Sequence, residues 1–392
     1  MLSARFATYP AGLVKLLLAM AASEFGDRLV QVAYALIALK EGSTTFLAAV
    51  LAAQTIPILV LTPLVSSRNW IRSRTAWRAG LIGQVAAFVV AATLAHSTVV
   101  VLTCVLVASS CEALTMPFSR SLLHALSDGR QAELAKAWGV TKAGAGAAGM
   151  VLAGVVVSLS GAGLTFVLNA LTFLLVMVVA WSPQIPEADA KSNRRAMAGF
   201  GYLRAPAAFG VAGLFCLVIM LLTTSLEGVS GPFMLAGTPG YDIRGLGTVM
   251  ACWAVASMIT AAVVPKRITS IRAFLPLSNV LVAVALGLPS LGVPFWFATA
   301  TFALGGIGNG IFNLLLSRII WSGVPADGQA HAWAAFNWIL NASLFLSFAV
   351  GFILRPGHAP VLLAAASGVC LVAGGLYLAT LVRAPKTVRV IA

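Results

Sequence analysis

Long apolar runs separated by short polar breaks recur along the whole chain, and their length is the first clue to its solvent. A helix crossing a bilayer core of about 30 Å needs roughly 20 apolar residues. Runs of that size lie at about 12–39, 45–66, 76–95, 99–122, 134–159 and 163–182, and resume at about 207–235, 245–265, 273–290, 294–317, 331–354 and 359–382. The pattern predicts an all-α membrane protein of twelve transmembrane helices. One polar stretch, PQIPEADAKSNRRAMAGFGYLRAP at 183–206, combines prolines, acids and a basic cluster. It divides the chain into a six-helix bundle over 1–182, a connector over 183–206, and a second six-helix bundle with a short tail over 207–392. Two pseudo-symmetric halves of equal size imply a parallel repeat, with substrate sites near the midplane between them.

Composition agrees. Hydrophobic residues make up 60% of the 392 and charged ones 9%, against about 25% charged in soluble domains. The net charge of +14 would suit nucleic acid only if the basic residues clustered on a water-facing fold. They sit in short loops instead, which fits anionic lipid headgroups and excludes a nucleic-acid partner. Placed with the N-terminus in the cytoplasm, the segments on that side hold 19 of the 25 Lys and Arg residues, and the outer loops keep Lys40, Arg244 and Arg355. This asymmetry predicts cytoplasmic N- and C-termini. The first run is span-length and carries Glu24, Asp27 and Arg28, so it does not read as a cleavable signal peptide. Cys104, Cys111, Cys216, Cys252 and Cys370 all lie in apolar runs without paired or metal-type spacing, as small buried hydrophobes do.

The rare ionisable groups inside the spans carry the chemistry, because each is costly unless it faces a polar interior. Glu24, Asp27, Arg28 and Gln31 recur at i, i+3, i+4 and i+7 on one face of the first helix. That stripe must face a cavity or neighbouring helices. Desolvation and the Arg28 charge act on its carboxylates in opposite senses, and a group balanced between them can exchange protons. Either Asp27 and Glu24 couple protons or contact substrate, or Glu24 and Arg28 form a pair that only holds helices together. Glu112 in the fourth helix, with Ser109, Thr115 and Ser119, and Glu227 in the seventh, with Thr223, Thr224 and Ser230, are further proton-coupling candidates. As repeat equivalents, Glu24 and Glu227 are expected to face each other across the pseudo-two-fold axis.

Lys142 either snorkels to the interface or pairs with Glu112. Asn309, Asn313 and Ser317, and Asn337 and Asn341, recur at four-residue spacing; such amides either bond across helices or line a cavity. Trp333, Phe336, Trp338 and Phe345 either stack on a ring-bearing substrate or pack. Gly144, Gly146, Gly149 and Gly154 allow close helix approach, for sliding against a helix of the other half or for static packing. The chain shows no G-x-S-x-G, P-loop or H-E-x-x-H, so neither an enzyme, a bound cofactor, a metal nor ATP-driven pumping is expected.

Several windows carry a resemblance. SEFGDRLVQVAYALIAL (23–39), MPFSRSLLHALSDGRQAELAKAWG (116–139), FVLNALTFLL (166–175) and GGIGNGIFNLLLSRIIWSGVPADGQAHAWA (305–334) resemble, in order, the drug/proton antiporter branch of the major facilitator superfamily, of the macrolide-efflux and enterobactin-exporter type. The resemblance implies the major facilitator fold in a bacterial inner membrane. It also implies a monomer working with protons, lipid and a small-molecule substrate, and export of an amphipathic molecule such as a drug, antibiotic or siderophore by proton antiport. A lysophospholipid carrier, an uptake permease and a transport-dead receptor stay open beside it. The family's loop between helices two and three usually reads G-x-x-x-D-R-x-G-R-R; here 63–74 reads PLVSSRNWIRSR, keeping Arg68, Arg72 and Arg74 for a gating role without the acid. In GAGAAGMVLAG (144–154), Met150 stands where the family has proline.

Overall fold

The computed structural model describes residues 10–65, 74–126, 131–183, 198–205, 208–241, 245–263 and 274–383. Regular structure among them is helical throughout. That is the form a membrane imposes, since a helix satisfies its own backbone polar groups where no water can. The helices are α1 (Ala11–Glu41), α2 (Thr44–Val65), α3 (Arg74–Thr93), α4 (Thr98–Leu126), α5 (Gln131–Ala180) and a short α6 (Ala198–Arg204). They continue with α7 (Gly210–Ala236), α8 (Gly245–Val263), α9 (Phe274–Gly287), α10 (Phe295–Gly323), α11 (Ala326–Val350) and α12 (Ala359–Arg383).

Nine stretches among the described residues are long and apolar enough to cross a membrane. Helix α1 is not among them because it holds Lys15, Glu24, Asp27, Arg28, Lys40 and Glu41. The apolar part of α8, Gly245–Ala261, falls short of a full span. The two predicted spans at 134–159 and 163–182 form the single 50-residue element α5, which holds a non-helical residue at Gly161 (φ 74°, ψ −178°). In an unbroken helix residues 149 and 169 would lie about 30 Å apart, at about 1.5 Å per residue. Yet Gly149 lies against Phe25 and Arg28, and Asn169 lies against Gly26. Both arms of α5 therefore meet one stretch of α1, and the chain folds back at Gly161. That backbone conformation is essentially restricted to glycine. Gly161→Val should destabilise the protein by about 1–3 kcal/mol, read as a lower melting temperature in detergent; an unchanged melting curve would contradict the reversal.

The chain divides into two compact units, Met1–Ile37 with Ala53–Arg194, and Ala38–Ala52 with Arg195–Ala392. In the first, α3 packs on α4 and on α5. In the second, α10 lies between α8 and α9, α12 between α7 and α9, and α11 against α6 and α7. Small residues bring these helices close, as lipid-embedded packing favours: Gly305 and Gly306 meet Trp253, and Gly310 meets Ser257. The Ser278 hydroxyl donates to the Gly308 carbonyl at 2.7 Å. Large apolar side chains such as Leu159, Val178, Val211, Ile353 and Val361 stay exposed. A surface of that kind is a liability in water and a requirement against acyl chains.

The α1–α2 corner also belongs to the second unit. Gly42 (φ 63°) turns the chain, and Ser43 Oγ accepts from the Phe46 N–H at 3.1 Å, an N-cap. Thr44 donates to the Leu354 carbonyl, and Ala48 lies against Gly351.

Candidate functional site

The polar stripe on α1 is met by polar groups from both arms of α5. Arg28 Nε donates to Glu24 Oε1 at 2.8 Å, and its other arm donates to Gln31 Oε1 at 2.7 Å. Lys142, from the first arm of α5, places Nζ 3.2 Å from Glu24 Oε2. Each oxygen of Glu24 thus holds its own cation, and the side chain is only 13% exposed. Glu24 is pinned. The sequence leaves Lys142 a choice between Glu112 and the membrane interface; its partner is Glu24. The reason is local, because Gly146 and Gly149 let α5 settle against α1 at this level.

Asp27 is held differently. Its Oδ1 accepts from Asn169 Nδ2 at 3.3 Å, and Asn169 Oδ1 accepts in turn from the Thr172 hydroxyl at 3.1 Å. No ion pair within 4 Å reaches Asp27 among the described residues. Glu112, Glu24 and Arg28 act on it as charged neighbours, and its side chain is exposed. Asp27 thus combines polar and charged protein neighbours with an accessible surface. Gly26 makes the arrangement possible, since a Cβ there would collide with Asn169 and Thr172. Asn169→Leu should therefore leave Asp27 without its amide donor. The measurable result is faster modification of Asp27 by a carboxyl-reactive carbodiimide than in the parent protein.

Asn169, Thr172 and the buried Tyr34, which stands 5.8 Å from Phe166 and close to Asp27, are not among the residues the sequence singles out. The signal was present: Asn169 is the one amide in FVLNALTFLL. Glu112 is exposed on α4. Thr115 Oγ1 donates to the Glu112 backbone carbonyl at 3.1 Å, so this hydroxyl serves the helix.

The remaining candidates are dispersed. Asn309 Nδ2 reaches Ser257 Oγ at 3.3 Å, an inter-helix bond. Asn313, Asn337 and Asn341 each donate to the carbonyl four residues back, at 2.9, 2.9 and 2.8 Å. Trp333 stands edge-on to Phe336, and the exposed Trp338 stands edge-on to Phe200 of α6, at 5.8 Å. Arg74 donates from Nε to the Ala180 carbonyl at 3.1 Å and from Nη2 to the Ser182 carbonyl at 2.5 Å. Arg78 joins it on Ala180 and stacks 4.8 Å from the Trp181 ring centroid. These arginines cap the carbonyl end of α5, where cations are favoured. Arg68 and Arg72 lie outside the described residues. Of the glycine series, Gly146 and Gly149 face α1 in the same unit, where the sequence had left a partner in the other half open.

The described residues thus form apolar helices of membrane-spanning length with a cluster of charged groups among them, as a multi-pass membrane transporter does. The chain belongs to the Major Facilitator Superfamily, whose family model matches residues 16–348. No curated protein matches it. Among solved structures it is similar to a POT family transporter in complex with 5-aminolevulinic acid (TM-score 0.74, 10% identity, 94% of this chain and 96% of that one). It is also similar to a bacterial homologue of the iron transporter ferroportin in an inward-facing state (0.72, 14%, 94% and 98%). A third likeness is to the nucleoside transporter NupG (0.67, 12%, 96% and 100%). At these identities the likeness concerns the fold.

Proposed function

We propose that the protein is a secondary active exporter, moving an amphipathic small molecule out of a bacterial cytoplasm by proton antiport, with Asp27 as the proton carrier. The observation that carries this reading is the contrast within one turn of α1. Glu24 has its charge matched twice, by Arg28 and Lys142. Asp27 has only a neutral amide donor and an open surface. A carboxylate without a salt-bridge partner in a low-dielectric interior gains most from taking a proton. One that water can reach can also release it.

Alternating access then exposes Asp27 to each side in turn. Protonation from outside favours substrate release and deprotonation inside resets the carrier, with Glu112 as the neighbouring acid that shares the charge. The 12-helix scaffold in two six-helix halves, with cytoplasmic termini and the 183–206 connector between them, supplies the rocking bodies. A chain that is 60% hydrophobic and 9% charged fits drugs, antibiotics or siderophores better than sugars or nucleotides, and it fits a monomer working in lipid.

The test is accumulation of ethidium and of a macrolide in cells lacking or overproducing the chain, with and without a protonophore. Lower accumulation on overproduction, abolished by the protonophore, supports the reading. Equal accumulation in all strains, or a difference the protonophore leaves intact, would sink it.

A further inference from the structure

In the second unit, α7, α9 and α12 meet at one buried amide. Asn279 of α9 donates from Nδ2 to Cys216 Sγ of α7 at 3.1 Å and to the Cys370 carbonyl of α12 at 3.4 Å. Cys370 Sγ donates in turn to the Asn279 carbonyl at 3.6 Å. Gly374 makes room for this side chain, since a Cβ there would stand 3.0 Å from Asn279 Cβ. Two buried thiols from different helices therefore touch the same residue, and they act on each other electrostatically. Neither is in a disulfide.

The surroundings of the pair are soft and uncharged. Among the described residues, the other side chains acting on the two thiols are Asn279 on Cys216 and Thr223 on Cys370. The Met220 thioether, one turn from Cys216 on α7, lies 3.7 Å from the Ser278 hydroxyl. Asn279 Oδ1 is buried and has no hydrogen-bond partner among the described residues. Packing alone leaves that oxygen unexplained, because buried polar atoms are nearly always paired.

We propose that Cys216 and Cys370 form a two-thiol site for a soft divalent metal ion, the mercuric ion, bridged between α7 and α12 with Asn279 beside it. Thiolates select soft metals, and the Asn279 N–H on the Cys216 sulfur is the kind of outer hydrogen bond that holds a metal-bound ligand in place. No third His, Cys, Asp or Glu joins the pair among the described residues. Zinc, which takes four ligands, is therefore poorly served, whereas mercuric ion is content with two sulfurs in line. Charge decides in the same sense. Two S–H and two Hg–Cl bonds break, two S–Hg bonds form, and two protons and two chlorides leave, so the bridged site is neutral. A monovalent ion between two thiolates would leave a net negative charge where charge is costly. Leu277 and Val280 near Asn279, and Val369 and Leu371 beside Cys370, are exposed apolar residues, so uncharged mercuric chloride approaches from the lipid. Nothing in this inference rests on the proposed export.

The test is titration with mercuric chloride of the full chain in lipid nanodiscs, with Cys104, Cys111 and Cys252 changed to alanine so that Cys216 and Cys370 are its only thiols. We expect one mercuric ion bound per chain, with two protons released for each. Further replacement by Cys216→Ala or Cys370→Ala should weaken binding at least about a hundredfold, because the second sulfur no longer acts within the same molecule. One equivalent should raise the melting temperature of the two-thiol chain and leave that of either single-thiol chain unchanged. Two ions per chain, no binding, one proton per ion, or single-thiol chains that bind as tightly as the pair would each overturn the proposal. Should the alanine variants not elute as folded proteins, the parent loaded with one equivalent decides. X-ray absorption at the mercury edge must then show two sulfurs, and Cys370→Ser must reduce them to one; any other count overturns the site. The measurement needs neither substrate nor gradient, so its failure and a failure of proton antiport are told apart.

Discussion

Asp27→Asn is expected to uncouple the transporter while leaving its binding site formed. Asparagine keeps the shape of the side chain and a carbonyl oxygen for Asn169 to donate to, but it cannot take up and release a proton. Efflux driven by an imposed pH gradient should fall at least about tenfold. Exchange of labelled for unlabelled substrate at equal pH on both sides should stay within about twofold, since that half-cycle needs no net proton movement. The measurement is paired: gradient-driven flux and exchange in the same proteoliposomes. Equal loss of both would mean that Asp27 shapes the site, and full retention of both would remove it from the coupling step. Glu24→Gln should behave otherwise. It leaves Arg28 and Lys142 without their shared anion and so acts on stability. Removing one partner of a fully buried pair costs about 3–5 kcal/mol. Arg28 and Lys142 are 36% and 47% exposed, so water screens them and about 1–2 kcal/mol is the reasonable expectation.

The second large effect falls at Gly149. A Cβ there would strike the Phe25 carbonyl oxygen and come within 3.2 Å of Arg28 Cβ. The obstacle is backbone rather than the far end of a flexible side chain. Overpacking typically costs 1–3 kcal/mol, roughly, and Gly149→Leu should reach or pass the top of that range because α1 must move away from α5. Such a shift also separates Lys142 from Glu24. We expect a severe loss of folded protein on size-exclusion chromatography, with Gly149→Ala milder in the same direction. Gly375→Ala is the control: no atom lies within 4 Å of its Cβ position, and alanine favours an exposed helix. If Gly149→Leu elutes and melts like the parent, the close approach of α1 and α5 is not what the structure makes it.

The helical, membrane-spanning nature of the fold was legible because apolar length is a strong signal, strongest where a run is uninterrupted, as in α2. It weakened at α1, where six charged residues sit in a helix of span length, and charge rather than hydropathy disclosed its polar face. The i, i+3, i+4, i+7 spacing placed Glu24, Asp27, Arg28 and Gln31 correctly on one side, because helical geometry alone decides that. What the spacing could not supply was which residues from distant sequence would stand opposite. Lys142 and Asn169 lie 118 and 142 positions from their partners Glu24 and Asp27. Their placement depends on a one-residue reversal at Gly161 and on gaps at Gly26 and Gly149. Those glycines looked like ordinary small-residue packing. The asparagines of α10 and α11 show the same limit: their spacing left a cross-helix bond or a cavity open, and three of the four donate an amide hydrogen to their own helix.

The double clamp on Glu24, taken with the Asn169 bond to Asp27, restricts how the middle of α1 can travel. Twisting this segment about its own axis would break contacts with both arms of α5 at once, while tilting it together with them breaks none. In the proposed alternating-access cycle the charged groups would therefore travel with α1 and both arms of α5 together.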